Sequence, residues 1–264
     1  MRSVAAIIAL LLSVLLAGCS LFPDTKDESA NWTAEKLYAE AKEAMNDGAY
    51  DKAVKNFEKL ESRYPYGRYA QQAQLEIAYA YYRQSESASA ISACDRFIKL
   101  HPNHPNVDYA YYLKGLVNFN EDLGLISYLS NQSLAERDPK AARDSFDTFK
   151  ELALKFPDSK YTPDAILRMK YLVNTLAAYE VHVARYYLRR GAYIAAINRA
   201  QTVIKSFPGT ASNEDALYIM VKAYEALGMT DLKNDSERVM RKNFPQSAYL
   251  AGGPENTDPW WKLW

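Results

Sequence analysis

The chain has 264 residues, of which 48% are apolar, so it is long enough to bury a substantial core. Lys and Arg together number 32, as do Asp and Glu, and a surface with zero net charge has no general attraction for nucleic acid. Glycine and proline are scarce, at 10 and 11 residues, whereas tyrosine reaches 21. This composition excludes a disordered chain and is typical of long helices with aromatic packing.

The first eighteen residues have the organisation of a secretory signal peptide. Arg2 supplies a positive charge, and the apolar run from Val4 to Leu16 is shorter than the ~20 residues that a membrane-spanning helix needs. The run ends in LAGC at 16–19, which resembles the bacterial lipobox, where a peptidase cuts before a cysteine that carries diacylglycerol. We therefore predict a lipoprotein signal peptide at 1–18 and lipidation of Cys19. An ordinary signal peptide with an incidental cysteine is the alternative.

Lipidation of Cys19 predicts how the mature chain meets a membrane. Two or three acyl chains make attachment permanent, and by analogy with lipoproteins Ser20 permits sorting to the outer membrane. Cleavage removes Arg2, the one charged residue of the signal peptide, which leaves 31 basic and 32 acidic side chains. Residues 19–32 are polar and are predicted to form a tether that spans about 20 Å. Cys94 is then left without a disulfide partner in the same chain.

The body of the chain repeats at intervals marked by proline. An aromatic residue or histidine precedes proline five times, with successive prolines 37, 55, 51 and 37 residues apart. Small residues recur at fixed distances from these prolines, as two helices that cross closely require. The aromatic–proline pairs begin at Tyr64, His101, Phe156, Phe207 and Phe244, and the small residues are Ala41, Ala53, Ala73, Ala78, Ala90, Ala110, Ala165, Ala184, Ala196 and Ala216.

These features resemble the tetratricopeptide repeat, in which two antiparallel helices cross at small residues and proline follows the second helix. We predict an all-α fold over 33–249, a tetratricopeptide-repeat superhelix (α-solenoid) of about five helical hairpins and about ten main helices. Ser145 replaces an expected alanine, and about 18 residues are added around 120–138, so the third repeat is expected to be distorted. A helix from Pro163 to about Arg190 is longer than one repeat needs.

Residues 250–264 are predicted to form an aromatic C-terminal tail that is flexible. Its tryptophans, Trp260, Trp261 and Trp264, are expensive to leave in water. Docking on the solenoid, on a partner or on the lipid interface remains open.

The sequence contains no recognisable arrangement of catalytic residues. His101, His104 and His182 have no cysteine or carboxylate at metal-ligand spacing, and no phosphate-binding loop or nucleophile elbow is present. Cys94 falls on an apolar helix stripe and is predicted to be a small core residue. The sequence therefore predicts a binding protein that is not an enzyme and uses no cofactor or metal.

Two tyrosine-rich clusters are candidate binding surfaces, although most tyrosines are expected to pack within the repeats. The first cluster follows the first aromatic–proline pair, where tyrosine can stack and donate a hydrogen bond to a bound peptide. The second lies across the fourth hairpin and combines tyrosine with arginine, as protein interfaces do. The alternative for its arginines is a solvated helix end.

Four segments together are similar to a family of tetratricopeptide-repeat lipoproteins of the outer-membrane β-barrel assembly machine. They are RYPYGRYAQQAQL (63–75), DRFIKLHPNHPNVDY (95–109), RDPKAAR (137–143) and YEVHVARYY (179–187) through Asn198 and Arg199. The resemblance implies the periplasmic face of the outer membrane and no enzymatic activity. It also implies other assembly lipoproteins as partners. A different envelope lipoprotein, an adaptor for cell-wall synthesis or division, is the alternative.

The resemblance also implies two sets of site residues. The N-terminal repeats of the family are thought to receive the C-terminal strand of unfolded outer-membrane proteins, and the C-terminal repeats are thought to dock a barrel-forming, BamA-like subunit. Carried onto this chain, the substrate-peptide site comprises Tyr64, Tyr66, Gly67, Tyr69, Gln71 and Gln72. The subunit interface comprises Tyr186, Tyr187 and Arg199.

Overall fold

A computed structural model of the chain describes residues 29–123 and 139–251. The described residues form ten α-helices and no strand, which confirms the predicted all-α class. The helices are α1 (Ala34–Asn46), α2 (Tyr50–Arg63), α3 (Arg68–Arg83), α4 (Ser87–Leu100), α5 (Val107–Leu123), α6 (Lys140–Lys155), α7 (Thr162–Arg189), α8 (Tyr193–Ser206), α9 (Ser212–Ala226) and α10 (Thr230–Asn243), followed by a 3₁₀ turn at Ala248–Ala251.

Several predictions fall outside the described residues. They are the signal peptide, the lipidation site Cys19, most of the tether, the residues added at 124–138, and residues 252–264 of the tail. Within the described ranges, no helix is both long and apolar enough to cross a bilayer.

The ten helices pair into five hairpins, α1–α2 through α9–α10, which stack in chain order. The first helices of neighbouring hairpins also contact one another: α1 contacts α3, α3 contacts α5, and α7 contacts α9. The first helices therefore line one side of the superhelix, here called the inner face, and the second helices line the outer face. The predicted tetratricopeptide-repeat superhelix is the observed architecture.

Small residues lie where the helices cross, and their side chains are excluded from solvent. The predicted alanines all have 0% exposure: Ala41, Ala53, Ala73, Ala78, Ala90, Ala110, Ala165, Ala184, Ala196 and Ala216. Because no space remains at these points, a larger side chain would push the helix axes apart.

The third hairpin uses a different pair of small residues. Ser145 of α6 is fully buried, and its hydroxyl donates a hydrogen bond of 2.9 Å to the carbonyl oxygen of Gly115 in α5. A Cβ atom at Gly115 would overlap the ring of Phe149. The serine is accommodated without an unpaired polar group because the glycine exposes its backbone to it.

The aromatic–proline pairs end the second helices in one repeated conformation. Tyr64, His101, Phe156, Phe207 and Phe244 all have φ near −130° with ψ between 53° and 63°. In each case the backbone N–H still donates to the carbonyl four residues earlier, as Tyr64 does to Leu60 at 2.8 Å. The proline that follows has no N–H and cannot extend the helix, so each hairpin turns at the same point.

Helix α7 spans 28 residues, twice the length of α8, and it begins at Thr162 with Pro163 in its first turn. Proline is favoured there because its missing N–H would have no intrahelical partner. The helix packs against α6, α8 and α9. The predicted long helix from Pro163 to about Arg190 is therefore confirmed.

The helix crossings give a direct test of the fold. Ala184→Leu would add three carbon atoms to a crossing that has no free space, and we expect it to lower the free energy of unfolding by roughly 1–3 kcal/mol. Ala226→Leu, the same substitution at an exposed position at the end of α9, is expected to change it by less than ~0.5 kcal/mol. Urea denaturation followed by circular dichroism measures both. Equal stability of the two variants would contradict the close crossing.

Candidate functional site

A groove runs along the inner face across the second, third and fourth hairpins. It encloses about 300 Å³ and is here called the inner groove. Its walls come from α3, the turn before α5, the start of α5 and the turn before α7. The lining residues are Gln72, Leu75, Glu76, Tyr79, Asn106, Tyr109, Lys160 and Tyr161.

The carboxylate of Glu76 organises one wall of the inner groove. Its Oε1 atom accepts hydrogen bonds from the Tyr38 hydroxyl at 3.2 Å, Lys42 Nζ at 3.1 Å and Gln72 Nε2 at 3.2 Å. Only 13% of the Glu76 side chain is exposed, so the carboxylate depends on these donors for its solvation. Burial and the neighbouring Glu76 carboxylate raise the pKa of Tyr38, which keeps the hydroxyl a donor.

Stacked tyrosines form the opposite wall. The ring of Tyr161 stacks on Tyr112 with centroids 4.8 Å apart and lies 5.5 Å from Tyr109. Burial raises the pKa of Tyr109, and burial together with a 2.7 Å hydrogen bond to Asp164 raises the pKa of Tyr112 to about 12. The phenols are therefore neutral at physiological pH, so this wall combines apolar ring faces with hydrogen-bonding hydroxyls.

Charged side chains fix the aromatic wall to α7. Asp164 accepts a 2.6 Å hydrogen bond from Arg168 Nε, and the guanidinium lies 4.7 Å from the ring centre of Phe119. Burial alone would raise the pKa of Asp164, but hydrogen bonds from Arg168 and Tyr112 outweigh it and hold that pKa below its ordinary value. The Asp164 carboxylate thus stays ionised and joins α5 to α7.

Three of the predicted substrate residues lie at the turn between α2 and α3. The Tyr64 hydroxyl donates to the backbone oxygen of Trp32 at 2.8 Å, which ties the turn to the chain before α1. Tyr66 is 92% exposed. Gly67 precedes α3 with φ of 109°, a conformation that a side chain would strain.

The other three lie in the first turns of α3, on or near the inner face. The ring of Tyr69 packs 5.4 Å from that of Tyr38, and Gln72 lines the inner groove. Gln71 is half-buried beside them. The structure therefore brings Tyr69 and Gln72 together with Glu76, while Tyr64 and Tyr66 stand at the turn that leads into this helix.

The predicted subunit-interface residues cluster at the end of α7 and on α8. Tyr186 is 38% exposed, with its ring edge-on to Tyr187 at 5.7 Å. Tyr187 packs on the core of the fourth and fifth hairpins. The guanidinium of Arg190 lies 5.5 Å from the ring centre of Tyr186. An exposed aromatic and a cation therefore stand next to each other at this helix end.

Arg199 is held by a carboxylate that the sequence reasoning missed. Its Nη1 donates to Glu180 Oε2 at 3.0 Å, and Arg143 Nη2 donates to Glu180 Oε1 at 3.1 Å. Glu180 is only 2% exposed, whereas the Arg199 side chain is 43% exposed. The hydrogen bond to Glu180 raises the pKa of Arg199 further. One buried carboxylate thus joins α6, α7 and α8, and Arg199 still presents part of its guanidinium to solvent.

The sequence analysis singled out neither Glu76 nor Glu180, although the position of each in the sequence indicates a buried charge. Glu76 stands between the buried Leu75 and Ile77, and Glu180 interrupts the apolar stripe of α7 between Ala177 and Ala184. A charge at such a position requires a cationic or hydrogen-bonding partner. The partners lie up to 38 residues away in sequence, so their identity required the structure.

The predicted core position of Cys94 is confirmed, since its side chain is fully buried. Burial raises the pKa of the Cys94 thiol to about 12. Among the described residues, no cluster of three or more His, Cys, Asp or Glu side chains is arranged to hold a metal ion. The rings of His101 and His104 pack around Phe97 at 5.1 and 5.2 Å.

Comparison with known proteins identifies relatives along almost the whole chain. The family model described as YfiO, outer membrane lipoprotein, matches residues 30–239. The outer membrane protein assembly factor BamD of Neisseria meningitidis is 47% identical, covering 96% of each chain. BamD of Vibrio cholerae is 38% identical, covering 87% of this chain and 94% of its own.

Among solved structures, that of MamA aligns at 16% identity with a TM-score of 0.34, covering 86% of this chain and 98% of its own. The fold assignment rests on the helix packing described above, and the family assignment rests on the sequence relatives. The chain belongs to the YfiO family of outer membrane lipoproteins, together with the outer membrane protein assembly factors named BamD.

Proposed function

We propose that this protein is a lipid-anchored scaffold of the β-barrel assembly machinery, exposed on the periplasmic face of the outer membrane and without enzymatic activity. In this role it binds unfolded outer-membrane proteins and a barrel-forming, BamA-like subunit, alongside other assembly lipoproteins. Membership in a family of outer membrane protein assembly factors supports this role over that of a cell-wall adaptor. The inner groove is the observation that carries the proposal.

Attachment to the membrane is proposed to occur through Cys19. The LAGC pattern at 16–19 supports cleavage after residue 18 and acylation of the cysteine, and the family description as an outer membrane lipoprotein agrees with it. Residues 20–32 then act as the tether between the lipid and α1. A scaffold held in this way acts within a few nanometres of the bilayer.

The inner groove has the chemistry to bind an extended, unfolded segment. Tyr79, Tyr109 and Tyr161 offer ring faces for apolar and aromatic side chains, and their hydroxyls can bond to an unpaired backbone. Lys160 adds a cation at the rim, which suits a carboxylate such as a chain terminus. Because the walls are fixed by Glu76 and Asp164, a peptide would enter a groove that is already formed.

The C-terminal hairpins are proposed to bind the barrel-forming subunit. Tyr186 and the exposed part of Arg199 are residue types that contribute strongly to protein interfaces. These residues lie near the C-terminal end of α7, whereas the inner groove lies at its N-terminal end. An unfolded substrate and the barrel-forming subunit could therefore bind at the same time.

Lys160→Glu tests the inner groove. We expect this variant to bind a C-terminal peptide of an outer-membrane barrel protein, ending in an aromatic residue, at least about tenfold more weakly, because a charge-assisted hydrogen bond of ~1.5–3 kcal/mol is lost. Lys205→Glu on the outer face makes the same change in net charge and should bind normally. Fluorescence anisotropy measures both affinities.

The turn before α3 is tested with the same peptide. Tyr66 is 92% exposed, so Tyr66→Ala should leave the free energy of unfolding unchanged and weaken peptide binding severalfold. The proposed substrate site would be refuted if neither Lys160→Glu nor Tyr66→Ala altered the affinity.

Arg199→Glu tests the subunit surface and has two expected effects. It should abolish co-purification with the barrel-forming subunit, and it should lower the free energy of unfolding by roughly 2 kcal/mol, because a second carboxylate would face the buried Glu180. This estimate lies below the ~3–5 kcal/mol of a fully buried pair, since Arg199 is partly exposed and Arg143 remains.

Tyr186→Ala separates the two effects. It removes an exposed ring without touching Glu180, so we expect weaker co-purification with unchanged stability. If both variants retain the complex intact, the proposed interface is wrong.

A further inference from the structure

A stripe of basic side chains runs along one side of α2. Lys52, Lys55, Lys59 and Arg63 are spaced three, four and four residues apart, which places them on a single face of the helix. They line an open hollow of about 540 Å³ on the first hairpin. These four residues are called the basic stripe below.

The acidic residues of α2 mostly face away from the stripe. Asp51 accepts a 2.6 Å hydrogen bond from Gln84, and Glu61 accepts two from Arg96 at 3.0 and 3.1 Å. Both are therefore engaged with the second hairpin. Glu58 borders the hollow and is the one acidic side chain among the described residues that line it. Over the part of the chain that the structure describes, this side of α2 therefore carries four basic side chains and one acidic side chain.

Two members of the stripe are not neutralised by the solenoid. Neither Lys52 nor Lys55 forms an ion pair with a residue that the structure describes, and both are exposed. On the terminal helix α10 the situation is different, since Arg238 pairs with Asp235 and Lys233 with Glu237. The basic stripe thus gathers four cations on one face of α2, although the net charge of the whole chain is zero.

The chain arrives from its proposed anchor at the end of this stripe. Arg63 donates to the backbone oxygen of Ser29, and Lys59 Nζ donates to the Ser29 hydroxyl at 3.3 Å. Ser29 lies ten positions after Cys19, and a flexible tether of that length would span roughly 17 Å on average. Given the proposed lipidation of Cys19, the end of α2 at Arg63 would be held within a few nanometres of the bilayer.

We propose that the basic stripe binds anionic phospholipid headgroups of the membrane that holds the anchor. The inference rests on the proposed lipid anchor, which would hold the first hairpin near the membrane. The basic stripe would then determine which side of the hairpin faces the membrane. Basic clusters next to an anchor are attracted to anionic leaflets, and one lipid signal combined with a basic patch binds more firmly than either alone. Because α2 is a second helix, this contact turns the outer face of the first hairpin towards the bilayer. The inner groove then opens away from the lipid, where an unfolded chain can enter it.

The test uses the full lipidated protein in phosphatidylcholine vesicles with and without phosphatidylglycerol. An amine-acylating reagent labels exposed lysines, and mass spectrometry compares Lys52 and Lys55 with Lys242 on α10 in the same molecule. We expect Lys52 and Lys55 to be labelled several times more slowly only when phosphatidylglycerol is present, and salt should remove this protection because it screens the attraction. Lys242 should be labelled equally in both.

A matched pair of variants tests the cause of the protection. Each basic residue near an anionic surface contributes roughly a fivefold gain in binding. Lys52→Gln should therefore raise the labelling of Lys55 in phosphatidylglycerol vesicles by up to about fivefold, whereas Lys242→Gln, with the same change in net charge, should leave it unchanged.

Two outcomes would overturn the proposal. If Lys52 and Lys55 are labelled as fast as Lys242 in both lipids, the stripe does not contact headgroups. If they are labelled more slowly than Lys242 by the same factor in both lipids, protein covers the stripe, for which the acidic residues of the tether, Asp24, Asp27 and Glu28, are candidates. Flotation with phosphatidylcholine vesicles alone reports the lipid anchor separately, so failure of the anchor and failure of the stripe give different results.

Discussion

Close contact between paired helices is the constraint on which the rest of the structure depends. Backbones can approach at a crossing only if the side chains there are small, and the crossings of this chain are occupied by buried alanine, serine and glycine. Each hairpin buries its apolar stripe only against the next hairpin, so the stack is held by contacts between neighbours. The same packing aligns the first helices along one face, which is where Glu76, Tyr109 and Tyr161 converge.

Three carboxylates also fix the positions of the helices relative to one another, which apolar packing alone would leave less well defined. Glu76 joins α1 to α3, Asp164 joins α5 to α7, and Glu180 joins α6 and α8 to α7. Each is a carboxylate with hydrogen bonds from a different helix. Glu76 and Glu180 are largely buried, so leaving either without these partners would be costly, whereas Asp164 is partly exposed. The contacts therefore favour one registration of the hairpins over others, and both candidate surfaces are built on them.

Much of the fold could be predicted from the sequence because its signals are local and periodic. Ala41, Ala78 and Ala184 mark the crossings by their distance from proline, and Pro163 marks the start of α7. Gly115 could not be identified from its distance to proline, because the added residues lie between it and the proline that ends its hairpin. The candidate site was harder to predict, since Tyr38 and Glu76 meet across 38 residues and Arg143 and Glu180 across 37. Arg199 was singled out by its place in a cluster of tyrosine and arginine and by family resemblance, and no pattern in the sequence pairs it with Glu180.

The length of α7 has a mechanical consequence. A continuous helix of 28 residues is about 42 Å long, and it behaves as a rod over that distance. Its first turn carries Asp164 beside the inner groove, and its last turn carries Tyr186 and Tyr187. A displacement of the start of this rod would be transmitted along it to Tyr186 and Tyr187. If binding at the inner groove moved α7 in this way, the two proposed surfaces would be coupled, and linkage would make that coupling equal in both directions.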